Sequence, residues 1–471
     1  MNTHLLSDLR LALGDAAVLT DDRSREMRVG DAFNPRRGLT PSETEWWQTP
    51  PVVVMPSTTE QVSQALRIAS QHRTPVVPFG GGTGVMGGTV VPANALVLDL
   101  KGMSRIRSVS AEDNVVWVEA GMMLADLDAA LGKHGLMLGH DPWSTPIATV
   151  GGAISTDGHG YRAAKYGSMG AQVLGLEVVL ADGEVLHTNA VSQHTSGPNL
   201  ERLFIGSEGA FGVITAAGLR VFRLPEARRF AAFTFPSFEA GFAAVSEMFA
   251  LGLRPAITDL TENPEEAGDD SKPLLILTYE GYREEVGAQS RRAKSIALAH
   301  GGVDDGPAKA HAYWRDRHVP GERYKKEALP FTPRERWGRW WSGRGHWDGL
   351  ALCLPVSKVL EHRRQAQAIC REAGVSIHEY ALWGGPELYS LGLSRAAVET
   401  DPNDRAAFRA VSDRLLCLAQ DMGGSIEYCH GIGLKLLHLA EREWGPNLEA
   451  VRRIKQALDP HGIMNPGKLG L

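Results

Sequence analysis

The sequence predicts an α+β protein built as two lobes, and three observations predict it. The chain has 471 residues, and single cores stop growing near roughly 250–300 residues, so two folding units are expected. Apolar runs of strand length alternate with stretches of helical period through the first half. The cluster "RLPEARR" (Arg223 to Arg229) then interrupts that pattern, and the boundary is placed there.

The elements follow in order. "PVVVMP" (Pro51 to Pro56) reads as a buried strand. Ser57 with Glu60 reads as a capping box opening a helix whose Val62, Leu66 and Ala69 share one face. Next come the strand "TPVVPFG", a glycine cluster, the strands "ALVLDL" and "NVVWVEAG", and an amphipathic helix from about Met123 to His134. "QVLGLEVVLADGEVLHT" places Asp182-Gly183 between two apolar strands, a strong hairpin signal. The second lobe opens with "FAAFTFPSFEAGFAAVSEMFALG", a strand and then a helix. From His311 to Trp347 the chain is rich in aromatics and arginine and reads as a long functional loop.

Composition excludes several classes of function. Hydrophobic residues at 43% and charged residues at 22% match a globular chain with a sizeable core. The net charge of −6 comes from interspersed charges with no basic block, so nucleic acid is not an expected partner. No apolar run reaches the roughly 18–20 residues of a membrane helix, and Asp8 and Asp15 interrupt the N-terminal leucines, so the expected place is the cytoplasm. Cys353, Cys370, Cys417 and Cys429 match neither a zinc pair nor an iron–sulfur run. If the chain carries out redox chemistry, its electrons leave through an unidentified diffusing acceptor or a separate partner.

Gly80 to Gly88 reads "GGGTGVMGG" and contains the dinucleotide pattern G-x-G-x-x-G. Thr89, Val90, Val91 and Pro92 follow where that pattern requires a helix, so a Rossmann site is not expected. Bare backbone N–H groups can nonetheless cradle phosphate without a helix, although a tight surface turn explains an isolated cluster equally well. A second cluster, "ATVGGAISTDGHGYRAAKYG" (Ala148 to Gly167), reads as neither ordinary helix nor strand and offers hydroxyls and bare backbone to a flat cofactor. A third, "LERLFIGSEGAFGVITAAGLRV", adds Gly206, Gly209 and Gly212.

Together these segments resemble the FAD-linked oxidases of the vanillyl alcohol oxidase and p-cresol methylhydroxylase (PCMH) type, from about Pro51 to the closing "LDPHGIMNPGKLG". The ending "MNPGKL" resembles the branch of glycolate oxidase flavoprotein subunits, D-lactate and D-2-hydroxyglutarate dehydrogenases, and alkyldihydroxyacetone phosphate synthase. The resemblance implies a PCMH-type FAD-binding domain over 46–225 after an N-terminal extension (1–45). It further implies an α/β cap over 226–445, and a closing segment (446–471) that returns to the FAD domain. FAD is the implied cofactor. Its implied contacts are Pro78, Gly80, Gly81, Gly82, Thr83, Gly84 and Gly88, then Pro142, Thr149, Gly151, Gly152, Ser155, Thr156, Gly158, Gly160 and Tyr161. Gly209, Val213, Ile214, Asn465 and Lys468 complete the set. Phe79 to Gly88 contains no histidine or cysteine, so noncovalent FAD is expected; His159 is the one competing anchor weighed.

"GGSIEYCHGIG" (Gly423 to Gly433) resembles the branch's Glu-His-Gly segment, with His430 and Gly431 matching and Cys429 in place of the glutamate. "LWGGPELY" (Leu382 to Tyr389) stands where the branch has two metal histidines and has neither, so no metal is expected. Tyr389 at the second of these places resembles the synthase side of the branch. Hydride transfer from a hydroxyl-bearing carbon to flavin N5 needs a base for the O–H proton, and a neutral His430 imidazole is the candidate. Arg315 and Arg317 fall where the branch carries an anion-binding arginine. Trp337, Trp340, Trp341 and Trp347 are candidate walls for an apolar substrate.

The expected activity is an FAD-dependent dehydrogenase or oxidase acting on a small, bulky or aromatic hydroxy acid or alcohol. The alternatives are a synthase-like transferase working through a flavin adduct, and a non-catalytic flavin-binding subunit. A homodimer is compatible with the sequence.

Overall fold

The computed structural model describes residues 3–33, 48–264, 271–340, 345–396 and 402–471, without the side chains of 337–340 and 402. Four strands form the first sheet, in the spatial order Val18–Leu19, Val53–Val54, Leu96–Asp99, Val76–Phe79. The last three run parallel and read as continuous β-branched or leucine runs because both faces are covered. The helix Thr59–Gln71 buries Val62, Leu66 and Ala69 in the same core as Leu5, Leu9 and Leu13 of the helix Thr3–Leu13. The capping box sits one residue later than expected. Thr58 accepts from the Gln61 N–H, and the Gln61 side chain reaches back to the Ser57 N–H, leaving Glu60 outside the pair.

The second sheet is antiparallel, in the order Ile106–Ser110, Val115–Glu119, Val213–Arg220, Val173–Val179, Val185–His187. Its last two strands are the hairpin turned at Asp182-Gly183. Both sheets share one core with the helix Leu124–Gly132.

The cap holds a seven-stranded antiparallel sheet, in the order Val303–Gly306, Ala227–Thr234, Leu274–Gly281, Ile257–Glu262, Ser376–Trp383, Leu388–Arg395, His346–Cys353. Period-two alternation sorts its residues between two faces. Leu260, Leu277, Leu382 and Leu391 pack with Phe238 and Val245 of the helix Phe238–Ala250 and Val359 of the helix Val356–Ala373. On the opposite face Ile257 and Ile276 pack with Ala310 and Tyr313, beside Tyr161 of the first lobe.

The stretch from His311 to Trp347 is not the long loop expected. It carries most of the helix Ala308–Asp316 and the helices Val319–Glu327 and Pro333–Trp340. Pro320 and Pro333 sit in first turns, where the missing N–H costs nothing, so prolines that looked like breakers are starters.

Candidate active site

The site is built where three glycine-bearing segments meet. The strand Val76–Phe79 runs into the loop from Gly80 to Gly88, and no helix follows it before the strand Leu96–Asp99. The second cluster does contain a helix, contrary to expectation: Val150–Ser155, capped by the Thr149 hydroxyl on the Gly152 N–H. Gly151 lies in that helix because a Cβ there would come within 2.7 Å of the Ala120 Cβ, so the glycine permits close packing on the sheet. The third cluster brings Glu208 and Gly209 beside the first loop and leads into the strand Val213–Arg220.

One cavity runs between these segments. Pro78, Gly80, Gly81, Gly82, Thr83, Gly84 and Gly88 line it, with Pro142, Thr149, Gly151, Gly152, Ser155, Thr156 and Gly158, then Gly209, Val213 and Ile214. Asp31, His140, His159 and Glu208 also line it, as do Cys429 and His430 from the cap. Among the described residues, no Lys or Arg lines it. An anionic diphosphate here would therefore be met by backbone N–H groups, which is what bare glycine loops supply. The residues present fit FAD.

Four expected contacts lie elsewhere. Asn465 donates to the backbone oxygens of Gly88 (2.9 Å) and Glu208 (2.6 Å), and Lys468 donates to Val90 O, so both brace the loop from behind. Burial lowers the Lys468 ammonium to about 8 against the opposing pull of Glu208 and Asp31. Burial likewise raises Glu208 to about 7 and Asp31 to about 6, despite the backbone N–H groups each accepts. Gly160 packs on the backbone of Asp141, and the Tyr161 hydroxyl donates to Arg317 O.

Three catalytic candidates are also corrected. Tyr389 is fully buried in the cap core, its ring against Phe238 and His362. Strand alternation turns the next residue the other way: the Ser390 hydroxyl meets the Tyr428 hydroxyl at 3.0 Å, and the Tyr428 ring meets His159 edge-on. Arg315 is exposed and paired with its neighbour Asp316. Arg317 donates from Nε to Asp141 and from Nη1 to Trp314 O, with its guanidinium over the Trp314 ring. Trp347 donates to His378 Nε2 at 3.1 Å, while the side chains of Trp337, Trp340 and Trp341 lie outside the described residues.

His430 does reach the cavity, on a loop anchored to the first lobe. The Ile432 and Gly433 N–H groups donate to Glu208, and the Leu434 N–H donates to Met86 O. Gly431 has φ +83°, and a Cβ there would come within 2.5 Å of Glu208 Oε1, so this turn requires glycine. Sequence reasoning missed Glu427. Its Oε1 accepts from the Cys429 N–H (2.7 Å), the His430 N–H (2.9 Å) and His430 Nδ1 (3.1 Å).

The ionisation of His430 differs from the neutral ring expected. Burial works against the charged form, but the Cys429 sulfur and the Glu427 carboxylate outweigh it and push the imidazole up to about 10. Glu427 is held below its usual range by His430 in spite of its own burial. His140 and His159 go the other way, lowered by burial to about 3 and about 4. An acid three residues before a histidine at a glycine turn was the signal available for Glu427. Among the described residues, no group of three or more His, Cys, Asp or Glu side chains could hold a metal ion.

Residues 50–189 match the FAD binding domain model, and residues 224–469 match that of the FAD linked oxidases, C-terminal domain. The chain belongs to the FAD-linked oxidases. It is 30% identical over 433 residues to a D-lactate dehydrogenase of Archaeoglobus fulgidus, covering 89% of this chain and 91% of that one. It is 27% identical to the alkyldihydroxyacetonephosphate synthase of Trypanosoma brucei brucei, over 99% of this chain and 79% of that one. Among solved structures, p-cresol methylhydroxylase superposes with a TM-score of 0.77 at 18% identity, over 99% of this chain and 96% of that one, a likeness of fold.

As an FAD-linked oxidase the chain uses FAD, and its cavity divides the labour between lobes. The first lobe contributes bare loops and buried acids. The cap contributes the cysteine and the carboxylate-held histidine. No helix among the described residues is long and apolar enough to cross a membrane.

Proposed function

We propose that this FAD-linked oxidase is a dehydrogenase or oxidase of a small hydroxyl-bearing substrate, a hydroxy acid or alcohol with room for a bulky or aromatic group. The observation that carries this reading is His430, held by Glu427 on the wall of the FAD cavity. Bound FAD supplies the acceptor for a hydride from the carbinol carbon. Glu427 fixes Nδ1 as a donor and leaves Nε2 for the substrate. The hydroxyl proton must leave as the hydride does, so Nε2 of the uncharged ring accepts it, and Glu427, which makes the ring strongly basic, balances the imidazolium that results. The same cation would meet a substrate carboxylate, a task for which Arg315 and Arg317 are already engaged elsewhere.

The FAD is proposed to be noncovalent, because the loop cradling it has no histidine or cysteine. The electron acceptor is proposed to be a diffusing molecule or a separate partner, and the cytoplasm is proposed as the protein's place because its four cysteines are free.

Likeness to the synthase supports a second reading, transfer without net oxidation. Tyr389, the residue that favoured it, points into the cap core. Anaerobic addition of hydroxy acids and alcohols tests the choice. Bleaching to stable reduced flavin supports oxidation, whereas turnover that leaves the flavin oxidised would give the site to the transferase. An absence of reduction across a broad panel would favour a non-catalytic flavin-binding subunit.

A further inference from the structure

We propose that Glu208 is the positioning residue that sets His430 against the cofactor cavity. This deepens the oxidising reading of the site and rests on His430 being its proton acceptor. Glu208 stands on the cavity wall, and its Oε1 accepts from the Ile432 N–H at 2.7 Å and the Gly433 N–H at 2.9 Å, two and three residues beyond His430. Oε2 takes a second share of the Gly433 N–H at 3.1 Å. The carboxylate also fills the inside of the turn, where a Cβ on Gly431 would meet Oε1.

The backbone of Glu208 is fixed by the first lobe and the closing segment. Its N–H donates to Ser155 O at 2.8 Å, at the end of the helix Val150–Ser155, and its C=O accepts from Asn465, whose amide also holds Gly88 O. Glu208 has φ +50°, a conformation that a residue with a side chain keeps only where its surroundings enforce it. One residue thus joins the glycine loop, the capped helix and the loop that carries the imidazole.

Other ties to His430 cannot replace this one. Glu427 orients the ring at Nδ1, but it belongs to the same loop and moves with it. Cys429 Sγ donates to His159 O at 3.7 Å, a weak sulfur contact, and the Leu434 and Lys435 N–H groups that donate to Met86 O lie four and five residues beyond His430. Displacing a reacting group by about 1 Å can cost about 10²-fold in rate, so loss of the anchor is visible in kinetics.

The test combines hydrogen exchange and stopped-flow reduction on the FAD-loaded protein. The Ile432 and Gly433 amides should be protected in the parent. Glu208→Ala should speed exchange over residues 428–436 at least about tenfold, with bound FAD and exchange over 80–88 unchanged. Flavin reduction by an accepted hydroxy acid or alcohol should slow about 10²-fold. Glu208→Gln, whose amide oxygen can still accept both N–H groups, should recover at least about tenfold of that loss. In a His430→Ala background the Glu208→Ala loss should shrink to about twofold or less, because the group being positioned is gone. Exchange needs no substrate, so a panel that never reduces the flavin would sink the oxidising reading and leave exchange to decide the anchor. Rapid exchange of Ile432 and Gly433 in the parent, loss of FAD from Glu208→Ala, or an equal kinetic loss with and without His430 would overturn the proposal.

Discussion

Arg317 donates from Nε to Asp141 at 2.8 Å, joining the cap to the first lobe one residue from the cavity-lining Pro142. His318 donates to the other oxygen at 2.7 Å, and Arg162 approaches at 3.2 Å. Burial alone would raise Asp141, but Arg162 and the two cap residues hold it well below its ordinary value of 3.8. Asp141→Asn should therefore cost about 1.5–3 kcal/mol, the range for hydrogen bonds to a charged group, because Arg162 keeps Glu280 and the Leu138 carbonyl and Arg317 keeps the Trp314 carbonyl. Because the native carboxyl is depressed, this stabilisation is present above the ordinary value and is lost as pH falls below it. Urea unfolding at pH 7 and pH 3 measures both; equal parent–variant differences at the two pH values would show that the ion pair does not hold the lobes.

Tyr389→Phe should leave flavin reduction within about twofold of the parent rate, because the phenol sits in the cap core. Arg315→Ala should be equally silent, since the guanidinium is exposed and paired with Asp316. Stopped-flow reduction with any accepted substrate checks both, and a hundredfold loss in either would return that residue to the site.

Acid or heat should release all of the flavin as FAD from the denatured chain. The glycine loop offers no nucleophile, although His140, His159 and Cys429 stand elsewhere on the cavity wall. Flavin fluorescence migrating with the denatured chain would disprove noncovalent binding, and peptide mapping would show which of the three holds it.

His430→Ala should retain FAD and slow flavin reduction by roughly 10²–10⁴-fold. The ring also links stability to pH. Its native value is raised from 6.5 to about 10, so its contribution is complete below 6.5 and is lost as pH rises through about 10. Thermal melting from pH 6 to pH 10 should fall more steeply for the parent than for His430→Gln. Parallel melting curves would place the proton elsewhere.

The glycine clusters were legible because missing side chains are visible in a sequence, and most of the expected contacts from Pro78 to Ile214 do line the cavity. Asp31 was not legible, since it arrives from a segment without a motif. Tyr389 was misplaced by strand parity: a shift of one residue in a strand exchanges one face of the sheet for the other, and Ser390 holds the face that meets Tyr428. Arg315 and Arg317 read as anion binders because they fall where the resembled branch carries such an arginine; the pairing of Arg315 with its neighbour Asp316 and of Arg317 with the distant Asp141 shows only in three dimensions. The helices hidden between His311 and Trp347 were masked by prolines at their starts.

The closing segment sets an order of events. Met464 bridges Val76 beside the glycine loop, and Asn465 ties Gly88 to Glu208. These residues leave the ribosome after the entire cap. The loop that cradles the cofactor therefore lacks its brace while the rest of the first lobe is already synthesised, and tight flavin capture is expected to follow synthesis of the cap instead of guiding the nascent lobe.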